Sequence, residues 1–79
     1  MTKIEIYGTG CAKCKQLAKS AEMAAQTLGI AYQLVKVTEM NAIIDAGVIS
    51  TPGLAINGVL KSSGQLLSSD AIQQLLQDA

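Results

Sequence analysis

The sequence predicts an α/β fold in the order β-α-β-α-β-β-α, a four-stranded mixed sheet carrying three helices. Three observations lead there. An alternating segment at residues 3–7 and a β-rich segment at residues 30–37 flank a long amphipathic run. Reaching one strand from another through a helix implies a right-handed crossover and a parallel pair. Further on, Asn57-Gly58 lies between two apolar stretches, which is a strong signal for a tight hairpin and so for an antiparallel pair. With 79 residues the chain is read as one domain, residues 1–79.

The elements follow in order. Lys3-Ile4-Glu5-Ile6-Tyr7 alternates polar and apolar side chains and reads as a strand. Gly8 and Gly10 break it and let the backbone turn. A helix is expected from Ala12 to Leu28. Leu17, Ala21, Ala24 and Leu28 form its buried stripe, and Lys15, Lys19, Glu22 and Gln26 its wet face. Gly29 suits the left-handed position that ends a helix. Ile30 to Val37 is the second strand. Thr38 is expected to cap a short helix from Glu39 to Ala46, with Glu39 in its first turn and Gly47 ending it. Val48 to Pro52 reads as a loop, Gly53 to Ile56 as a strand, and Val59 to Lys61 as its returning partner. Ser62-Ser63-Gly64 reads as a turn. Ser68 or Ser69 caps a last helix, with Ile72, Leu75 and Leu76 on its buried face.

Composition narrows the function classes. Nearly half the residues are apolar (49%), so the chain is globular rather than disordered. Six basic residues balance six acidic ones, which argues against nucleic acid or an anionic membrane surface as partner. The chain starts directly in a strand pattern, and no apolar run reaches membrane-spanning length, so a cytoplasmic protein is expected. No large apolar patch is evident, and a monomer is expected.

The chemistry lies in Cys11-Ala12-Lys13-Cys14, which holds the only two cysteines. This spacing at a strand-to-helix turn reads as a redox site. Cys11 falls at or beside the helix N-cap, where free N–H groups and the helix dipole favour a thiolate. Cys14 lies one turn further in. Gly10, which turns the chain into the helix, and Lys13, which adds positive charge, are the candidates for tuning the thiol. A purely structural staple is disfavoured. Closing so short a loop removes only roughly 2 kcal/mol of unfolded-chain entropy, whereas long loops give ~3–5 kcal/mol.

With Cys11-Ala12-Lys13-Cys14 after the first strand, Thr51-Pro52 before the hairpin, and this element order, the chain resembles the thioredoxin/glutaredoxin superfamily. Gly8-Thr9-Gly10-Cys11, Ser50-Thr51-Pro52-Gly53 and Asn57-Gly58 look closest to the very small thioredoxin-like redox-active disulfide proteins of bacteria and archaea. The resemblance covers essentially the whole chain and implies a minimal thioredoxin-like fold with a cis Pro52 beside the cysteines. It implies a thiol–disulfide oxidoreductase, an electron carrier in which Cys11 attacks and Cys14 resolves through a Cys11–Cys14 disulfide. Thr51 would offer main-chain groups to a substrate strand. Glu5, six residues before Cys11, has the spacing of the family's buried proton acceptor.

The resemblance also implies that no cofactor is bound and that electrons come from an external thioredoxin-reductase-type flavoprotein. Glutaredoxins hold glutathione partly with an aromatic beside the second cysteine and a glycine pair after the hairpin. Lys13 and Ser62-Ser63-Gly64 stand there instead, so a protein disulfide is the expected substrate. Two other readings stay open. The same cysteines suit a Cu(I)- or zinc-binding module, although two thiolates do not complete a four-coordinate zinc site. A redox-sensing interaction domain is the third.

Overall fold

Alternation along the first strand decides the layering. In the computed structural model, which describes residues 1–78, β1 spans Thr2–Tyr7, and its Ile4 and Ile6 join one apolar cluster while Tyr7 joins another. The other elements are α1 (Ala12–Leu28), β2 (Tyr32–Val37), α2 (Met40–Asp45), β3 (Gly53–Ile56), β4 (Val59–Ser63) and α3 (Ser69–Asp78). The sheet runs β2-β1-β3-β4, with β1 parallel to β2 and antiparallel to β3, and β3 antiparallel to β4. The predicted element order and mixed four-stranded sheet are both present.

The larger cluster lies between the sheet and helices α1 and α3. It joins Ile4, Ile6, Leu54 and Ile56 to Leu17, Ala18, Ala21, Ala24 and Ala25 of α1, and to Ile72 and Leu76 of α3. Four alanines on the buried side of α1 let its backbone lie close to the strands. The stripe is wider than predicted, since Cys14, Ala18 and Ala25 are also buried, while Leu28 is only partly so. Gly29 takes a left-handed conformation (φ 69°) and ends the helix, donating its N–H to the Ala25 and Gln26 carbonyls. On the other face of the sheet, Ile43 and Val48 pack on Tyr7 and Ala55.

Several boundaries differ from the sequence reading. Glu39, not Thr38, caps α2. Its carboxylate accepts hydrogen bonds from the N–H groups of Asn41 (3.2 Å) and Ala42 (2.8 Å), satisfying donors a helix start leaves free. Ser68 caps α3 by accepting from the Ala71 N–H at 3.2 Å. Strand β2 begins at Tyr32 rather than Ile30, and β4 continues through Ser62 and Ser63, which pair with Leu54 and Gly53. The register shifts where Lys61 falls between two paired neighbours, and this bulge carries β4 past the predicted turn.

Candidate active site

Cys11 and Cys14 meet because the first turn of α1 puts them there. Cys11 is the N-cap, with extended backbone (φ −66°, ψ 165°), and its Sγ accepts a hydrogen bond from the Cys14 N–H at 3.2 Å. The two are joined as a disulfide, with Cα atoms 5.1 Å apart. Cys11 is exposed and Cys14 is buried, at 5% exposure, so only one sulfur of the pair faces a large partner. The N–H directed at Cys11 Sγ and the positive end of α1 both favour negative charge on that sulfur.

Glycines shape the approach to the pair. Gly10 has φ +88°, a conformation in which other residues are strained, and it turns the chain from β1 into α1. Gly8 has a different function. A Cβ there would collide with Cys14 Sγ and lie 3.1 Å from Cys14 Cβ, so the missing side chain makes room for the buried sulfur. A cavity of about 240 Å³ opens beside Cys14, lined by Ile6, Gly8, Gly10, Lys15, Lys36 and Thr38. Lys36, which the sequence reading passed over, reaches this place because it is paired with Ile6 across β1 and β2. Lys13 is exposed on the same turn as the cysteines.

Thr51 and Pro52 approach from the other side. The Thr51–Pro52 peptide is cis, Pro52 is buried and Thr51 is exposed. A Cβ on Gly8 would lie 3.9 Å from Thr51 Cβ as well as against Cys14, which places the loop and the disulfide around the end of β1. Cys11, Cys14, Gly10, Thr51 and Pro52 therefore gather at one end of the sheet.

Glu5 does not join them. Strand alternation puts it on the face of Tyr7, whereas Cys14 packs over Gly8 on the face of Ile6. Its neighbour is the Tyr7 phenol. Burial raises the Tyr7 pKa above its ordinary 10.0, and the charge of Glu5 and a hydrogen bond to it push the same way. A phenol held protonated by the fold adds stability below its unfolded pKa, and this is lost as pH rises through the higher folded value. In a Tyr32→Phe background, phenolate absorbance is expected to show Tyr7 titrating above a free tyrosine. Glu5→Gln should move it back down by removing the charge. An unchanged midpoint in Glu5→Gln would show that Glu5 does not act on the phenol.

The comparisons with known proteins agree with this geometry. The chain matches the Thioredoxin domain family over residues 2–77. It is 46% identical over 76 residues to a thioredoxin of Methanothermobacter thermautotrophicus, covering 96% of this chain and 99% of that one. To a thioredoxin of Methanocaldococcus jannaschii it is 40% identical over 76 residues, covering 96% and 87%. Among solved structures, a thioredoxin-2 described as a component of malaria parasite protein secretion machinery superposes with a TM-score of 0.73 at 16% identity, covering 100% of this chain and 84% of that one. The oxidized mitochondrial thioredoxin 3 of Saccharomyces cerevisiae gives 0.66 at 15% identity, covering 99% and 78%. At such identities these two likenesses speak for the fold alone.

Proposed function

Since the chain belongs to the Thioredoxin domain family, we propose that it is a protein-disulfide oxidoreductase working through Cys11 and Cys14. The family and the cysteine pair give it a thioredoxin-like redox function. The observation that carries the finer reading is the asymmetry of the pair, one sulfur exposed at a helix N-cap and the other buried one turn on.

The chemistry follows from that asymmetry. The Cys11 thiolate attacks one sulfur of the substrate disulfide, and the other substrate sulfur leaves as a thiolate. Cys14 then gives up its proton, and its sulfur attacks Cys11 Sγ, expelling the second substrate thiolate. The substrate gains two electrons, and the protein is left with the Cys11–Cys14 disulfide. Solvent entering the cavity beside Cys14 takes the proton, since Glu5 lies on the other face of the sheet. Lys13 on the first turn and Gly10 before it favour the Cys11 thiolate. Thr51 and Pro52 receive the substrate chain. A thioredoxin-reductase-type flavoprotein returns the electrons, no cofactor is held, and the protein works as a cytoplasmic monomer. No helix among the described residues is long and apolar enough to cross a membrane.

The test is a redox titration of metal-free protein in dithiol/disulfide buffers, with the thiols trapped and weighed. A single two-electron transition between about −180 and −280 mV is expected, the span of working thiol–disulfide oxidoreductases. Cysteines that never form the disulfide, or that alkylate only after a chelator removes bound metal, would transfer the site to the metal-binding reading.

A further inference from the structure

The loop carrying Thr51 is held at both of its neighbours by one strand end. The Ser63 hydroxyl accepts the Ser50 N–H at 3.2 Å and donates to the Ser50 carbonyl at 3.0 Å. One side chain thus occupies both main-chain groups of Ser50, as a paired strand residue would. On the far side, the Gly64 N–H donates to the Pro52 carbonyl at 2.8 Å. The backbone of Gly64 lies so close that a Cβ there would be 2.7 Å from Ser50 Cβ. Between these ties, the N–H and carbonyl of Thr51 have no backbone partner among the described residues. Thr51 is also exposed.

We propose that Ser63 is the positioning residue for substrate capture: its hydroxyl occupies the Ser50 backbone and leaves the Thr51 N–H and carbonyl as the free pair offered to the strand of a protein disulfide. The inference rests on the oxidoreductase reading and adds to it what fixes the docking residue. Buried or not, an extended chain gains most from main-chain donors and acceptors that are already aimed, because ordering a loose loop costs entropy at the moment of binding. The clamp also removes a competitor. With Ser50 occupied, a substrate strand has one register in which to pair with this loop. The position lies in the segment that the sequence reading takes as a turn, and its hydroxyl bonds Ser50 rather than either cysteine, so its influence is on binding rather than on the sulfur chemistry.

The experiment compares Ser63→Val with Ser63→Thr, which share a shape and differ in the hydroxyl. Insulin supplies a disulfide carried on peptide, and 2-hydroxyethyl disulfide supplies one with no strand to dock. For insulin, Ser63→Val is expected to raise KM about 5-fold at unchanged kcat, the size of one ordinary hydrogen bond lost on balance. Its rate with 2-hydroxyethyl disulfide should match the parent, and Ser63→Thr should match the parent on both. The Ser50 amide should exchange with deuterium faster in Ser63→Val and in Ser63→Ala, and at the parent rate in Ser63→Thr. Ser63→Ala, which removes the hydroxyl without adding bulk, must repeat the Ser63→Val result. An unchanged insulin KM in Ser63→Val and Ser63→Ala, or an equal loss on both disulfides, overturns the proposal. A parent chain that reduces neither disulfide overturns the oxidoreductase reading instead, while the Ser50 exchange rates still report on the clamp.

Discussion

Cys11→Ser loses insulin reduction, with kcat/KM expected to fall at least about 1,000-fold, because a serine hydroxyl is not ionised at neutral pH and is a poor nucleophile toward sulfur. Cys14→Ser behaves differently. Its Cys11 still attacks, but no second sulfur stands one turn away to displace the product, so the reaction stops at a covalent adduct. Mass spectrometry of the quenched mixture should show one insulin molecule linked to Cys14→Ser and none to Cys11→Ser. The order comes from exposure: Cys11 caps α1 at the surface and Cys14 is 5% exposed beneath it. If Cys11→Ser formed the adduct and Cys14→Ser did not, the roles would be reversed and the burial argument would fail.

Gly8→Ala is expected to damage stability and chemistry together. The new methyl would collide with Cys14 Sγ and press on Cys14 Cβ at 3.1 Å. Neither side can retreat easily, since Gly8 continues the central strand and Cys14 sits on the first turn of α1. Overpacking of this kind costs typically about 1–3 kcal/mol, a large share of what a chain this small has to spare. Urea denaturation should show a lower midpoint, and the displaced Cys14 should close the disulfide more slowly after Cys11 has been engaged. Gly10→Ala is the control. No atom beyond its chain neighbours lies within 4 Å of a Cβ there, so it meets backbone strain at φ +88° without touching Cys14. Parent-like stability and disulfide closure in Gly8→Ala would show that the contact is not needed.

Much of this was readable in the residues. Two cysteines at a strand-to-helix turn placed the site, and Asn57-Gly58 placed the hairpin, whose two turn residues take φ 51° and 83°. The alternation of Lys3 to Tyr7 already put Glu5 and Tyr7 on one side, and spacing to Cys11 along the chain outweighed it only because spacing ignores which face a strand residue takes. Other features depend on contacts far along the chain. Ser62 and Ser63 look like turn residues until Leu54 and Gly53 hold them in β4. The capping of α2 by Glu39 rather than Thr38 turns on one residue of backbone conformation, since either side chain can accept from a helix N-terminus. The cavity beside Cys14 depends on Lys36 being level with Ile6 in the parallel pair, a register no local pattern specifies.

The placement of β1 at the interior of the order β2-β1-β3-β4 also sets a timetable for assembly. β1 precedes the other three strands of its sheet along the chain, and its β2 neighbour follows after one helix. Its other edge must wait for β3, where Ala55 pairs with Glu5 and Leu54 with Ile6. Until then the nascent chain carries an open strand edge together with the apolar faces of Ile4 and Ile6. Closing that gap joins segments farther apart in sequence than the β1–β2 pair does, so it carries the larger loop-closure entropy. The Thr51 loop immediately precedes β3, so the docking loop and the central strand arrive in place at the same step. The cysteines can thus come together on α1 early, but a substrate strand has nowhere to lie until the last edge of β1 has been paired.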